Sequence, residues 1–322
     1  MNDNRVSVVV PCYNVEAYIR RFLDSLLAQT YKKLEIVFVN DGSTDQTGEL
    51  IKEYIPLLEN EGYKIVYLEQ ENGGQSAAIN AGIKLASGKF MTWPDPDDWL
   101  TPDSIEKRVH FLMAHPEVAM VRCNIEKVQD GTMGSLGLFE RNFEQAGHIT
   151  DFYEKLKKVK TWFAPLAYMV RMSHFDAVNP GRDIYTCRKG GQNLQMLLPL
   201  ARKFPCWQMP DVLGYYLIRG NSHSRNQNTF ADRIAYKDVT EDVVINTLIR
   251  MGADKAELKC IEQQFAWKRV LDAKRHGTWP DVWFYARKAW PIVDEKIVLI
   301  LALFLPRFVF RFFKKMIPCV SK

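Results

Sequence analysis

Over the first 125 residues, short apolar runs alternate with segments whose apolar residues recur at helical spacing. Consecutive β-branched and aliphatic residues are typical of a strand buried on both faces, and an i, i+3, i+4 spacing is typical of a helix with one buried face. The pattern predicts strands over residues 6–10, 34–39, 64–68, 89–93 and 118–123, and helices over 17–29, 43–54, 75–85 and 101–114. Because a helix separates consecutive strands, we expect right-handed crossovers and a mostly parallel sheet.

The pattern becomes irregular over residues 131–214, which we expect to complete the sheet and cover its ligand site. Helical spacing returns from about residue 228 to about 287. Residues 297–305 form an apolar run that ends at Pro306. These changes predict an α/β domain over 1–225, a helical extension over 226–296 and an amphipathic tail over 297–322.

Composition narrows the class of protein. With 322 residues, 47% of them hydrophobic and 25% charged, the chain has the composition of a folded protein rather than a disordered one. The sequence contains no apolar run of the roughly 18–20 residues that span a bilayer and no signal-peptide pattern, so we expect a cytoplasmic protein. The six cysteines are scattered without a Cys-x-x-Cys motif, which favours reduced thiols over a disulfide framework or a metal cluster.

The net charge of +5 is concentrated in one place. Residues 297–322 contain five basic side chains and no acidic one, so residues 1–296 carry no net charge. A neutral body argues against a nucleic-acid-binding protein. Phenylalanines alternate with the basic residues, which favours a tail lying on an anionic membrane surface, with the protein peripheral to the inner face of the cell membrane. The alternative is a C-terminal helix that packs on its own domain. The basic residues are Arg307, Arg311, Lys314, Lys315 and Lys322.

Acidic side chains follow the fourth predicted strand. Ligands of parallel sheets bind beyond the carboxyl ends of the strands, and Asp95, Asp97 and Asp98 stand at such an end. Three neighbouring carboxylates repel one another unless a cation or hydrogen-bond donors neutralise them. Mg²⁺ and Mn²⁺ prefer oxygen ligands and commonly bridge carboxylates to substrate phosphates. A solvated acidic turn is the alternative interpretation.

The second and third strand ends carry weaker signals. Asp41 could accept hydrogen bonds from a base or ribose, although Gly42 and Ser43 also fit a simple turn and helix cap. The stretch from Asn72 through Gly73 and Gly74 to Gln75 permits close backbone approach before a helix N-terminus, which favours phosphate. A plain turn would look the same. Neither a G-x-G-x-x-G motif nor a P-loop is present.

The first strand is followed by Pro11-Cys12-Tyr13-Asn14, the second by Asn40-Asp41-Gly42-Ser43-Thr44-Asp45, the third by Asn72-Gly73-Gly74 and the fourth by Asp95-Pro96-Asp97-Asp98. Taken in order, these four strand ends resemble those of family 2 glycosyltransferases of GT-A fold, of the bacterial surface-polysaccharide type. The match covers about residues 6–100 and extends weakly to about 225. It implies a Rossmann-like, mostly parallel sheet flanked by helices. It also implies a nucleotide-sugar donor, usually UDP-linked, a divalent Mn²⁺ or Mg²⁺ ion, and a saccharide or polyisoprenoid-linked acceptor in capsule, exopolysaccharide or lipopolysaccharide synthesis.

The resemblance also implies roles for individual residues. Asp41 would contact the nucleoside base in a pocket at Pro11, Tyr13 and Asn14, and the stretch from Asn72 to Gln75 would bind the donor. Asp95 would lie towards the ribose, donor or metal, and Asp97 would bind the metal. Asp98 would support the loop. Arg219 or Arg225 could pair with the donor diphosphate, and His223 could complete the metal site or be an ordinary loop residue.

The catalytic base is the point at which this sequence departs from the family. A Glu-Asp pair usually starts a later helix, but Gln192 and Asn193 stand there, and an amide cannot accept a proton near neutral pH. Asp183 could substitute, a retaining front-face mechanism could dispense with a base, or the chain could bind donor without turnover. We favour an active hexosyltransferase.

Three other classes of protein stay open as alternatives. A nucleotidyltransferase would need a glycine-rich, arginine-containing loop after the first strand, and the residues there do not match it. A non-catalytic nucleotide-sugar-binding protein would account for the missing base. A structural membrane scaffold would not need the acidic cluster.

Overall fold

The computed structural model describes residues 4–141, 145–219, 228–294 and 296–305. Within these residues the strands are β1 Val6–Cys12, β2 Leu34–Asn40, β3 Lys64–Glu69, β4 Phe90–Thr92, β5 Trp99–Leu100, β6 Met120–Gln129, β7 Ser135–Leu138, β8 Gly147–His148, β9 Tyr168–Arg171 and β10 Cys206–Ile218. The α-helices are α1 Ile19–Leu27, α2 Thr47–Asn60, α3 Gln75–Leu85, α4 Ser104–Ala114, α5 Phe152–Lys157, α6 Met172–Val178, α7 Asn193–Lys203, α8 Phe230–Arg250, α9 Lys255–His276, α10 Trp279–Ala289 and α11 Lys296–Phe304.

The strands form one mixed sheet whose main path runs β3-β2-β1-β4-β9-β6-β10-β5. Strands β3, β2, β1 and β4 are parallel neighbours, as the alternation of strands and helices predicts. Strand β9 lies antiparallel between β4 and β6, so the sheet is mixed rather than mostly parallel in its second half. The predicted α/β class, with helices flanking the sheet, is confirmed.

The core is formed where helices meet the buried strands. Every residue of β1 and β2 is buried. At Gly82 in α3, an added Cβ would lie 2.4 Å from a methyl group of Val9, so only glycine allows the helix to approach β1 this closely. Cys12, Cys123 and Cys206 are buried without disulfide partners, and burial raises the pKa of each thiol.

The start of α2 differs from the prediction. The sequence predicts a helix from residue 43 with Ser43 as a possible cap, but the helix begins at Thr47, and Gln46 before it forms no side-chain cap. The Ser43 hydroxyl instead accepts a hydrogen bond from the Asn14 N–H at 3.2 Å. Asp45 accepts one from the Thr47 N–H at 3.0 Å. Ser43 therefore ties two loops together at the strand ends rather than capping the helix.

The chain divides into two compact units, Met1–Leu156 with Thr161–Gly220, and Lys157–Lys160 with Asn221–Lys322. The described part of the second unit is helical, and the capping boxes Thr229–Asp232 and Thr278–Asp281 start α8 and α10. No helix in the described ranges combines the length and the apolarity that crossing a membrane requires. Residues 306–322 of the predicted tail, together with His223 and Arg225, lie outside the described residues.

Candidate active site

The polar loops that follow β1, β2, β3 and β4 meet at one edge of the sheet, because these strands are parallel neighbours. Backbone hydrogen bonds continue the pairing into the loops. The Asp41 N–H donates to the Cys12 carbonyl at 2.8 Å, and the Gln70 N–H donates to the Asn40 carbonyl at 3.0 Å. The topology therefore collects residues that are distant in sequence.

The Asp41 side chain connects these loops and is buried, with only 2% of its surface exposed. One carboxylate oxygen accepts hydrogen bonds from the Gln70 side-chain amide at 2.7 Å and the Gly73 N–H at 3.0 Å. The other accepts from the Gly74 N–H at 2.9 Å. Asp41 thus holds the glycine turn in place, a role that the sequence did not suggest. Its contact with a nucleoside base stays a prediction.

The loop after β1 is fixed to the loop after β2. Asn14 has a positive φ of 48°, and its side-chain oxygen accepts a hydrogen bond from the Thr44 N–H at 2.8 Å. Pro11 is buried within β1, whereas the Tyr13 side chain is 48% exposed. Of the three residues predicted to line a base pocket, Tyr13 presents its ring to solvent and Asn14 ties the two loops together.

The glycine turn connects Asp41 to the acidic cluster. Gly74 has a φ of 89°, and an added Cβ would lie 2.5 Å from the Arg188 carbonyl oxygen. The next residue, Gln75, begins α3 and donates from its side-chain amide to Asp95 at 2.6 Å. The turn from Asn72 to Gln75 therefore lies between the two acidic positions, with the N-terminus of α3 beside Asp95.

Asp95, Asp97 and Asp98 form a tight group in which one carboxylate oxygen from each lies within 4.8 Å of the others. The Asp98 N–H donates to the Asp95 carbonyl at 3.2 Å, so the loop turns back on itself. One Asp98 oxygen accepts from the Leu217 N–H at 2.9 Å. The other is buried and has no hydrogen-bond partner among the described residues. Asp98, which we expected only to support the loop, thus also offers a ligand atom.

The electrostatics of this group follow from burial and like charge. Burial, with the neighbouring charge of Asp97, raises the pKa of Asp95. Burial also raises the pKa of Asp97, against the opposing effect of Arg219, and burial with the charges of Asp97 and Asp95 raises the pKa of Asp98. A cation placed among these oxygens would lower all three pKa values and favour the ionised form.

Arg219, predicted to pair with the donor diphosphate, forms an ion pair with Asp97. Its guanidinium also lies 4.9 Å from the centre of the Tyr18 ring. A planar guanidinium suits bidentate binding to phosphate as well as to carboxylate. Arg219 therefore stands beside the candidate metal ligand at the end of β10.

Gln192 and Asn193 lie beside the acidic cluster at the start of α7. The Asn193 side-chain oxygen accepts a hydrogen bond from the Trp93 ring N–H at 3.1 Å. Gln192 is 1% exposed, and its amide is one of the groups that lower the pKa of Asp95, although burial raises it overall. Neither polar atom of the Gln192 side chain has a well-formed hydrogen bond within the described part of the chain. A buried amide in this state has capacity to bind a ligand.

Asp183 is not brought to the cluster. Its carboxylate accepts hydrogen bonds from Asn80 and Lys84, each at 3.0 Å, and is 53% exposed. Asn80 and Lys84 lie five and nine residues after Gln75 in α3, which corresponds to about 7.5 and 13.5 Å along the helix axis. The structure therefore places Asp183 in a surface ion pair, away from the other predicted catalytic residues.

The chemistry of the acidic cluster fits a hard divalent cation, since three carboxylates converge and one buried oxygen lacks a hydrogen-bond partner within the described ranges. Sequence reasoning found Asp95 and Asp97 from their place after a buried strand. It missed Gln70 as a partner of Asp41 and the pairing of Arg219 with Asp97. Both depend on segments that only the fold brings together.

This sheet and these strand-end loops define the GT-A class of fold, and solved structures agree. The crystal structure of S. aureus TarS residues 1–349 in complex with UDP-GlcNAc superposes with a TM-score of 0.61 at 19% identity, covering 92% of this chain and 87% of TarS 1–349. The mannosyltransferase PcManGT from Pyrobaculum calidifontis, solved with GDP-Man and Mn²⁺, gives a TM-score of 0.56 at 20% identity, covering 98% and 84%. At such identities the likeness concerns the fold.

Sequence comparison gives the family. The model of glycosyl transferase family 2 matches residues 7–170, about half of the chain, and the chain belongs to this family. Glycosyltransferase GlyA of Streptococcus pneumoniae serotype 4 is 50% identical over 104 residues, which are 32% of this chain and 14% of GlyA. The putative glycosyltransferase EpsH of Bacillus subtilis is 40% identical over 124 residues, 38% of this chain and 34% of EpsH. The chain thus spans a minor part of each of these relatives.

Proposed function

We propose that this chain transfers a sugar from a nucleotide-diphosphate donor to a saccharide or polyisoprenoid-linked acceptor during synthesis of a surface polysaccharide. A UDP-linked sugar is the donor to be tested first. The observation that carries the proposal is the connection of two acidic positions by one glycine turn. Gly73 and Gly74 donate to Asp41, and Gln75 donates to Asp95. In this proposal the nucleoside lies at the first position and the diphosphate at the second.

Donor binding would use groups along this edge. The exposed ring of Tyr13 is suited to stacking on a base. The N-terminus of α3, after Gly74, would favour the negative charge of the diphosphate. Arg219 would pair with the same phosphates from the end of β10. TarS with UDP-GlcNAc and PcManGT with GDP-Man support a nucleotide sugar as the ligand class.

Asp95, Asp97 and Asp98 would hold Mn²⁺ or Mg²⁺ beside the diphosphate. When bound, this cation supplies Lewis-acid stabilisation of the negative charge that develops on the leaving diphosphate. Gln75 orients Asp95 by its hydrogen bond, and the Leu217 N–H orients Asp98. These contacts keep the carboxylates directed at one point.

Gln192 and Asn193 would face the acceptor. The amide of Gln192 can hold an acceptor hydroxyl by hydrogen bonds, but it cannot remove the proton. Asp183, the substitute considered from the sequence, is held on the surface by Lys84. The missing carboxylate also favours a second candidate function, a protein that binds a nucleotide sugar without transferring it.

A thermal-shift panel followed by product analysis tests this proposal. Purified full-length chain is screened with UDP-, GDP- and other nucleotide sugars, with and without Mn²⁺. A ligand at one hundred times its Kd stabilises the folded state by about 2.7 kcal/mol, which a melting curve resolves. We expect stabilisation that requires Mn²⁺, and release of the nucleoside diphosphate from the stabilising donor when acceptor glycans are added. Stabilisation without any product would favour the binding protein, and no stabilisation by any donor would contradict both functions.

The domain boundaries and location are part of the same proposal. Residues 1–225 would form the catalytic domain, 226–296 the helical extension and 297–322 a tail that contacts an anionic membrane from the cytoplasmic side. The five basic residues and interleaved phenylalanines of the tail support this assignment. A polyisoprenoid-linked acceptor would be found at the same surface.

A further inference from the structure

Two helices of the second unit expose large apolar side chains. Trp279 and Trp283 in α10 are 53% and 49% exposed, and Trp290, directly after that helix, is 47% exposed. Their spacing places the three rings within about 40° of one another around the helix axis. In α11, the exposed residues Ile297, Ile300 and Phe304 likewise share one side. We call these six residues the α10–α11 face.

The two rows of side chains form one surface. The rings of Trp283 and Phe304 lie 6.1 Å apart, edge to face. Trp279 and Phe304 also line the same open cavity of about 330 Å³. The face is therefore continuous across both helices rather than a set of isolated apolar residues.

The core of this unit does not need these side chains. In α11 the side opposite the face, and in α10 the side adjoining it, form a buried cluster, which includes Val282, Ala286, Leu299 and Leu303. Ile297 and Phe304, by contrast, are 75% and 65% exposed. A contiguous exposed apolar surface of this kind marks an interaction site.

Charge around the face indicates its partner. The Lys296 ammonium lies 5.2 Å from the centre of the Trp290 ring, so a basic side chain borders the face. Among the described residues, the nearby acids Asp281 and Asp294 have protein partners, since Asp281 belongs to a capping box and Asp294 pairs with Lys259 at 2.9 Å. The sequence continues from α11 into residues 306–322, which contain five basic residues and no acid.

We propose that the α10–α11 face lies in the interface of an anionic lipid bilayer, with its tryptophan and aliphatic side chains among the headgroups and upper acyl chains. Tryptophan is enriched at that depth because its ring is apolar and its N–H can stay hydrated. Lys296, beside Trp290, can direct its ammonium group towards lipid phosphates. This surface extends the membrane contact proposed for residues 297–322 to the tryptophans of α10, lies outside residues 306–322 and does not depend on glycosyl transfer.

The test uses the full chain with vesicles of phosphatidylcholine alone or mixed with phosphatidylglycerol. We expect sedimentation with the anionic vesicles and quenching of tryptophan fluorescence by brominated acyl chains. The double variant Trp279→Ser and Trp283→Ser should lower the partition coefficient about tenfold or more and lose most of the quenching. The matched control is Ile249→Ser, because Ile249 in α8 is 54% exposed but lies outside the face. It should bind as the parent does.

Other occupants of the face give different results. Vesicle binding without quenching, unchanged in the double variant, would mean that residues 306–322 bind alone, and would overturn the proposal. Quenching that appears only after deletion of 306–322 would mean that this segment covers the face. A dimer in light scattering that the double variant abolishes, without vesicle binding, would assign the face to a second copy. Circular dichroism of each variant checks that the fold is intact, and quenching of the parent chain tests the proposal without any substitution.

Discussion

At the scale of single residues, the candidate site depends on where buried carboxylates find hydrogen-bond donors. Asp41 accepts three hydrogen bonds from one turn and its flanking glutamine, so its charge is compensated inside the protein. Asp98 uses one oxygen on a backbone N–H and leaves the other without a described partner. The hydrogen bonds of Asp41 hold the loops together, whereas the second oxygen of Asp98 is available to bind a ligand.

Removing the Asp41 carboxylate should destabilise the protein. In Asp41→Ala the two glycine N–H groups and the Gln70 amide lose their acceptor, and unsatisfied buried donors are costly. We expect the free energy of unfolding to fall by about 2–4 kcal/mol in urea titrations. Asp41→Asn keeps the shape and one acceptor oxygen, so it should lose less. A loss below about 0.5 kcal/mol in the alanine variant would contradict the anchoring role.

The sequence could identify these acids but not their partners. Asp41, Asp95 and Asp97 are recognisable because each closely follows a buried apolar run, and parallel strands end at a common edge. Leu217 lies in β10 and Arg219 directly after it, more than a hundred residues later, and no local pattern predicts which carboxylate they contact. The position of Gln192 in the family pattern identified it as a site residue, but the sequence did not predict that its side chain is buried.

At the scale of elements, the glycine turn fixes the position of the acidic loop relative to the end of β2, because it contacts Asp41 on one side and Asp95 on the other. Gly74 adopts a φ of 89°, and the Arg188 carbonyl oxygen lies close to the position that a Cβ atom of residue 74 would occupy. The two constraints act together, because one requires a positive φ with an extended ψ, which glycine adopts freely, and the other requires empty space. A substitution here moves either α3 or the segment before α7.

Two glycine substitutions separate these constraints. Gly62, after α2, has a similar φ of 84° but no atom within 4 Å of an added Cβ. Gly62→Ala should therefore cost only the backbone strain, about 1 kcal/mol, whereas Gly74→Ala should cost about 3 kcal/mol or more. Urea denaturation of both variants measures the difference. Equal losses would show that Arg188 moves away without cost and that the turn is not held rigidly.

Apart from the two-residue β5, which pairs with the distant β10, the alternation of strands and helices up to β6 was predictable, because the required periods are local. Strand β9 was not, since its antiparallel insertion between β4 and β6 is set by tertiary pairing. The start of α2 was mispredicted for a related reason. Ser43 has the sequence signature of a cap, but Asn14 from another loop competes for its hydroxyl.

At the scale of the whole molecule, a buried acid at the opposite edge of the sheet should make stability depend on pH. Burial alone would raise the pKa of Glu35, but hydrogen bonds from Lys64, Ser7 and Ser87 outweigh it and lower the pKa to about 2. The corresponding distances are 2.6 Å from Lys64 and from Ser7. The carboxylate therefore favours the folded state whenever it is ionised.

The sign of this dependence follows from the lowered pKa. Stability from Glu35 is fully present above its ordinary pKa of 4.5 and is lost as the pH falls towards about 2. We expect about 2–3 kcal/mol of the free energy of unfolding to disappear over this range. Glu35→Gln should be less stable at pH 6 and should show a flatter pH profile in urea titrations. A parallel profile for both proteins would rule out this contribution.

The most direct test of the central claim is calorimetric titration of the nucleoside diphosphate whose sugar gives the largest thermal shift. The claim is that the Asp95–Asp97–Asp98 group binds a divalent cation that in turn holds the diphosphate. We predict binding with Mn²⁺, little or none with chelator, and at least about a hundredfold weaker binding in Asp97→Asn with an unchanged far-ultraviolet spectrum. Glu59→Gln, which removes the same charge from an exposed position in α2, should bind normally. Equal affinity with chelator and in Asp97→Asn would contradict the claim.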